Sequence, residues 1–254
     1  MLTRKIRKFL KNSPALLMGY NPYVDADKLR LIDRGFATIR PEASSFADLG
    51  GVWKVNAAYT RYTLRKHKPE RGVLVDTDFP AGLKEKLSRL DRLETIQGDF
   101  TAESTLARIG RVDVAYFFDV LLHQANPSWD EVLRRYASRC SCIVVFNQQY
   151  VGGEKTIRLT DLPLDEYKRL APRGRDAVYQ YVYEHANEIH PVYGKPWRDI
   201  HNIFQWGITD KGLREHMEKL GFQELFFADY GQFSDLPMFR NHGFVFVSRE
   251  RSKT

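Results

Sequence analysis

Four carboxylates stand where short apolar runs of the sequence end. Asp48 closes Ser45 to Asp48 and leads into Leu49-Gly50-Gly51, Asp76 closes Gly72 to Asp76 and is followed by Thr77-Asp78, Asp99 with Phe100 comes just after Leu93 to Gln97, and Asp119 follows Val112 to Phe118. A carboxylate at such a tip can accept both hydroxyls of a sugar ring, and glycines in the first turn let the backbone approach a ligand closely. An acid followed by an aromatic can hydrogen-bond and cover a flat heterocycle. Each piece alone is common, because a strand-end acid is often just a helix cap. Their order along one chain carries the reading.

These positions need a scaffold that brings strand tips together. From Phe46 onward, short apolar runs alternate with amphipathic stretches, the pattern of a mostly parallel sheet flanked by helices. Strands are predicted at the four runs above and at Cys140 to Phe146, with helices from about Val55, Pro80, Thr101 and Pro127. Pro80 and Pro127 suit first-turn positions, and Thr101 with Ser104 offers hydroxyls to unpaired backbone N–H groups. After Phe146 the rhythm breaks, with Pro163, Pro172, Pro191 and Pro196 punctuating a segment rich in tyrosine and histidine. It then returns as a helix over Thr209 to Leu220 and strands over Phe222 to Ala228 and Gly243 to Ser248. Two strands with no helix between them pair antiparallel when they are neighbours. The expected division is an amino-terminal basic helix and lead-in over 1–44 and one α/β domain over 45–254, with 151–207 as an insertion after the fifth strand.

The glycine turn Phe46-Ala47-Asp48-Leu49-Gly50-Gly51, the acid ending Val73-Leu74-Val75-Asp76, Gln97-Gly98-Asp99-Phe100 and Phe118-Asp119-Val120-Leu121-Leu122-His123 together resemble class I S-adenosylmethionine-dependent methyltransferases over roughly 40–147 and 208–249. The resemblance implies a Rossmann-like, mostly parallel seven-stranded sheet with an antiparallel last strand, and S-adenosylmethionine as cofactor. It implies Asp48, Gly50 and Gly51 around the methionine part, Asp76 on the ribose with Asp78 as the alternative, Asp99 and Phe100 at the adenine, and Asp119 near the amino acid or methyl end. Trp53 and Lys54 depart from the pattern where a further glycine is usual.

The acceptor is expected to be a hydroxyl or amine of a small molecule or a sugar or glycan precursor. Nucleic-acid amino-methyltransferases carry an Asn/Asp-Pro-Pro-aromatic segment where this chain has Asp119-Val120-Leu121-Leu122. Histidine is the natural base for a hydroxyl. His123 resembles the histidine of small-molecule methyltransferases, and His201 is the second candidate; the competing reading of His123 is a ring bonded to a backbone carbonyl. Leu122 replaces an acid in that comparison, so no metal is expected. Gln148, Tyr181, His185, Asn202, Gln205 and Trp206 are candidates for holding the acceptor, with Tyr179, Tyr181 and Tyr183 alternating as in an edge strand or packing stripe.

The chain has 254 residues, 43% apolar and 28% charged, with a net charge of +7 and two cysteines. No apolar run approaches the roughly 20 residues of a membrane span, and a cytoplasmic protein is expected. Arg4, Lys5, Arg7, Lys8 and Lys11 interleave with Leu2, Ile6, Phe9 and Leu10 as a short basic amphipathic helix. It suits either peripheral membrane contact through residues 1–12 or a lid on its own domain, and no strong nucleic-acid signal accompanies it. Cys140 and Cys142 are expected as buried, reduced thiols on opposite faces of a strand. Two other classes stay open: an NAD(P)-dependent oxidoreductase, which would want Gly-x-Gly-x-x-Gly at the first turn, and a non-catalytic nucleotide-binding or RNA- or membrane-docking protein.

Overall fold

The computed structural model describes residues 24–39, 43–171, 174–199, 203–234 and 236–250. Seven strands form one sheet: β1 (Ser45–Leu49), β2 (Arg71–Asp76), β3 (Leu93–Gln97), β4 (Val112–Phe118), β5 (Cys140–Tyr150), β8 (Phe222–Gln232) and β9 (Phe239–Ser248), in the order β3-β2-β1-β4-β5-β9-β8. The first five are parallel; β9 runs antiparallel to both β5 and β8. The remaining strands, β6 (Ile157–Arg158) and β7 (Trp206–Gly207), make a separate antiparallel ribbon.

Helices cover both faces, which is why the central strands read as nearly continuous apolar runs. On one face lie α1 (Ala26–Thr38) and α2 (Ala58–His67), which pack Leu29, Ile32, Phe36, Tyr59 and Tyr62 against Phe46, Tyr116 and Val144. On the other, α4 (Glu103–Ile109), α5 (Trp129–Ala137) and α8 (Asp210–Lys219) bring Leu106, Trp129, Leu133 and Leu213 onto Ala115, Phe117, Ile143 and Val145. The short α3 (Leu83–Leu87) follows β2. Helix α1 was not foreseen. Asp25 caps it, accepting from Asp27 N at 2.9 Å. Gly35 lets it approach β5 closely, since a Cβ there would sit 2.7 Å from Val144 Cγ2.

Segment 151–207 contributes β6, α6 (Leu164–Leu170), α7 (Ala177–Glu184) and β7. Its buried Leu159, Tyr167, Val182 and Ile203 close a core with Leu122, in the turn after β4, and Phe239 of β9. The tyrosine alternation belongs to α7 and not to an edge strand. Residues two apart on a helix face different ways, so Tyr181 is 47% exposed while Tyr183 turns inward and donates to Leu162 O. Burial of Val182 against the segment's core overrides the local strand preference.

Other boundaries also moved. β5 continues through Asn147, Gln148 and Gln149 because β9 starts at Phe239 and pairs with all of them. Pro80 and Pro127 precede their helices, which begin at Leu83 and Trp129. Thr101 does not cap: its hydroxyl donates to Asp99 Oδ1 at 2.7 Å, and α4 starts after Ala102 with no side-chain cap. The cysteines are free, buried and in opposite layers, though strict alternation puts residues two apart on one face. Cys140, at the mouth of β5, turns its thiol to Tyr136 O, whereas Cys142 joins the α1 layer. The basic start at residues 1–12 lies outside the described residues. Among those described, no helix is long and apolar enough to cross a membrane.

Candidate functional site

Parallel strands ending together put their following residues on one edge, and two groups assemble there. The first is the glycine turn. Gly50 has φ +78° and donates to Val75 O at 2.8 Å, so the turn is tied to the end of β2. Asp48 is buried beneath it: a Cβ on Gly51 would lie 2.4 Å from its carboxylate, so glycine is required by close approach. Thr60 Oγ1 of α2 donates to Asp48 Oδ2 at 2.6 Å. Burial nevertheless pushes this carboxyl up to about 6, the Thr60 bond opposing and the charge of Asp76 reinforcing the rise.

Asp76 stands across the turn and accepts from Val52 N at 2.9 Å through Oδ2 and from Asp78 N at 3.3 Å through Oδ1. Burial raises its pKa against these backbone donors. Asp78 is exposed, so of the two acids only Asp76 meets the turn. Trp53 does not fill the turn either. It is 72% exposed, with Lys54 Nζ 4.1 Å from its ring centroid. Lys54, Asn56 and Ala57 all have positive φ, so the chain from the turn into α2 is strained backbone held by the fold.

The second group lies at the tip of β4. Asp119, with φ +57°, donates its N–H to Phe146 O at 2.8 Å. Its Oδ1 accepts from Gln148 Nε2 at 2.7 Å, and Gln148 also reaches Asn241 Oδ1 at 3.2 Å. Its Oδ2 accepts from Lys28 Nζ of α1. That ammonium is buried among three rings, with centroids at 4.7 Å for Phe146, 5.7 Å for Tyr59 and 5.8 Å for Phe118. Burial alone would lower its pKa, yet the adjacent Asp119 carboxylate outweighs it and holds Lys28 protonated, above the ordinary lysine value. The groups adjoin: a Cβ on Gly50 would meet Val120 Cγ1 at 2.7 Å.

The other predicted residues fall elsewhere or take structural partners. Asp99 Oδ1 accepts from Thr101 N at 2.8 Å in a local turn ahead of α4. The Phe100 ring belongs to the core with Leu106 and Tyr136 and is 8% exposed, which leaves little of its face for a ligand. His123 Nδ1 lies 2.8 Å from Ile203 O, with Phe204 edge-on at 4.8 Å. Tyr181 and His185 stack on each other at 4.0 Å beside Trp197, apart from the acids in their ring contacts. Gln205 is buried and bonded through its backbone to Leu122 O and Leu159 N, and Trp206 Nε1 donates to Gln124 O at 2.6 Å. Both fasten segment 151–207 to the chain after β4. His201 and Asn202 lie outside the described residues. Among the described acceptor candidates, Gln148 is the one bonded to an acid of the row. Lys28, Tyr59, Thr60 and Asn241 were missed. The Asp25 cap followed by Leu29, Ile32 and Phe36 at helical spacing could have exposed α1 and with it Lys28.

No family model matches this chain, and no curated protein matches it. Solved structures do. The N-terminal domain of EvdMO1, in the presence of SAH and D-fucose and in a second structure with SAH bound, superposes with a TM-score of 0.52 at 16% identity, over 88% of this chain and 82% or 80% of that chain. Coclaurine N-methyltransferase bound to N-methylheliamine and SAH gives 0.51 at 13% identity, over 81% of this chain and 51% of that chain. With the strand order, the antiparallel β9 and the glycine turn at the end of β1, these likenesses show that the chain has the class I methyltransferase fold.

Proposed function

We propose that the protein is an S-adenosylmethionine-dependent methyltransferase whose acceptor is a hydroxyl or amine of a small molecule or a sugar. The observation that carries this is the crowding of Asp48 and Asp76 around a glycine turn at the carboxyl edge of a class I methyltransferase fold. Two buried acids with raised pKa values, whose bonded partners among the described residues are hydroxyl and backbone donors, suit a ligand that brings hydroxyl donors and positive charge. When bound, the cofactor supplies a methyl group on a positively charged sulfur. Gly50 and Gly51 let the backbone come close to it, and Asp76 accepts from the ribose hydroxyls. Nothing in the fold or the comparisons favours the oxidoreductase or the non-catalytic reading.

In-line transfer asks the protein mainly to align the acceptor and, for a hydroxyl, to remove its proton. In our reading His123 takes that proton. With Nδ1 donating to Ile203 O, the tautomer makes Nε2 the basic nitrogen. The D-fucose accompanying EvdMO1 and the N-methylheliamine in coclaurine N-methyltransferase support small acceptors, a sugar hydroxyl among them. Parallel calorimetric titrations with S-adenosylmethionine and NADH test the class: binding of the first alone is expected, and binding of NADH alone sinks it. Once cofactor consumption has identified an acceptor, His123→Ala is expected to slow turnover about a hundredfold or more with cofactor affinity unchanged. Full turnover in that variant removes His123 as the base.

A further inference from the structure

The Lys28–Asp119 pair is unusual in its placement. It joins residues 91 apart in sequence, one on α1 and one at the tip of the central strand β4, and it buries an ammonium where aromatic faces replace water. An ammonium carries three N–H donors. Among the described residues, Asp119 Oδ2 is the one oxygen bonded to Lys28 Nζ. The rings stabilise its charge but are weak hydrogen-bond acceptors. Asp119 is the open side of the pair, its side chain 35% exposed against 10% for Lys28, and Gln148 and the Phe146 carbonyl hold it in place. The pair also borders the glycine turn, through Gly50 against Val120 and through Tyr59, which opens α2 just after the turn.

A fixed positive and a fixed negative group side by side match a ligand that carries the same two charges in the opposite order. An α-amino acid is such a ligand. Laid antiparallel to the pair, it gives four alternating charges with no net charge buried, so the desolvation that opposes burial of a lone ion is offset. The geometry points to Lys28 and Asp119 as the recognition site for the amino-acid end of the cofactor, Lys28 donating to its α-carboxylate and Asp119 accepting from its α-ammonium; this rests on the S-adenosylmethionine reading above. Lys28 is then the residue that distinguishes S-adenosylmethionine from the same nucleoside without a carboxylate.

Calorimetry on the full chain with S-adenosylmethionine and with decarboxylated S-adenosylmethionine tests this without a variant. The wild-type protein is expected to bind the decarboxylated compound at least tenfold more weakly. Lys28→Met is expected to weaken S-adenosylmethionine at least tenfold and the decarboxylated compound less than twofold, erasing the discrimination. Lys28→Arg is expected to retain most of it. Equal wild-type affinities for the two compounds overturn the assignment, as does an equal loss of both in Lys28→Met, which would make the pair a fastener of α1. Should Lys28→Met fail to fold, the wild-type comparison still decides. If the wild-type protein binds neither compound, the cofactor reading itself has failed and the assignment falls with it.

Discussion

The acids at the tips of β1 and β2 and the acid at the tip of β4 occupy matching places in the sheet, in opposite electrostatic surroundings. Asp48 and Asp76 share a buried corner in which hydroxyl and amide donors are their partners, and burial raises the pKa of both. Asp119 has a lysine and a glutamine amide bonded to it. The first corner therefore has unmet demand for positive charge and hydroxyl donors, while the second arrives already neutralised and presents charge of both signs. A ligand whose parts differ in the same way, a polyhydroxyl ring at one end and a zwitterion at the other, satisfies both. Variants that alter one corner at a time show whether the contrast is real.

The largest effect is expected from Lys28→Met. Losing one member of a buried ion pair leaves the other desolvated, a loss of about 3–5 kcal/mol where both are fully buried. Asp119 is about one-third exposed and regains some hydration, so a loss of about 3 kcal/mol in urea unfolding is expected. A loss below about 1 kcal/mol would mean that the pair behaves like a surface salt bridge, and the contrast between corners would disappear.

Asp48→Asn is expected to act in the opposite direction. An ordinary aspartate titrates near 3.8 and the folded Asp48 at about 6, so between these values the folded chain keeps a proton that the unfolded chain has lost. The stability this gives is fully present below about pH 4 and is lost as pH rises through 6. Asparagine keeps an acceptor for Thr60 and never charges. A gain of about 2 kcal/mol at neutral pH is expected, with a flatter decline across pH 4 to 6. No gain at neutral pH would show that the Thr60 bond already compensates the burial.

Asp76→Ala concerns the ligand more than the fold. Removing the acceptor for the ribose hydroxyls is expected to weaken S-adenosylmethionine by about 1–2 kcal/mol, with Asp78→Ala nearly silent because Asp78 is exposed. Calorimetry on the two variants separates them. A larger loss in Asp78→Ala would move the ribose site and leave Asp76 as a support of the turn.

How much of this was legible in the sequence follows from the range of the forces involved. β4 lies where its apolar run lies, because burial on both faces writes itself into consecutive residues, and β3 keeps its expected bounds at the sheet edge although Ile96 is its one buried residue. The order of strand-end acids was equally visible, since each is local to its own strand. Lys28 was not, because its meaning depends on a partner 91 residues away and on three rings from α2, β4 and β5. In segment 151–207 residue type misled for a different reason. Gln205 and Trp206 look like ligand-binding side chains, but a segment laid over the sheet must satisfy its own buried backbone and the loops beneath it, and these residues do that through Leu122 O and Gln124 O.

The smallest and most diagnostic change is Gln148→Met. Gln148 Nε2 donates to Asp119 Oδ1 at 2.7 Å from the neighbouring strand β5. Methionine preserves its length and apolar stem while removing the donor. With Lys28 still in place and Asp119 partly hydrated, a stability loss of about 1 kcal/mol is expected, the scale of one net hydrogen bond. In a Lys28→Met background the same change strips a carboxylate of its second side-chain partner, so the double variant is expected to lose more than the sum of the singles by about 0.5–1 kcal/mol. Urea unfolding of the four proteins of this cycle gives the coupling directly. Additivity within about 0.3 kcal/mol would mean that Lys28 and Gln148 act on Asp119 independently, and the tip of β4 would then be two separate contacts and not one preorganised charged site.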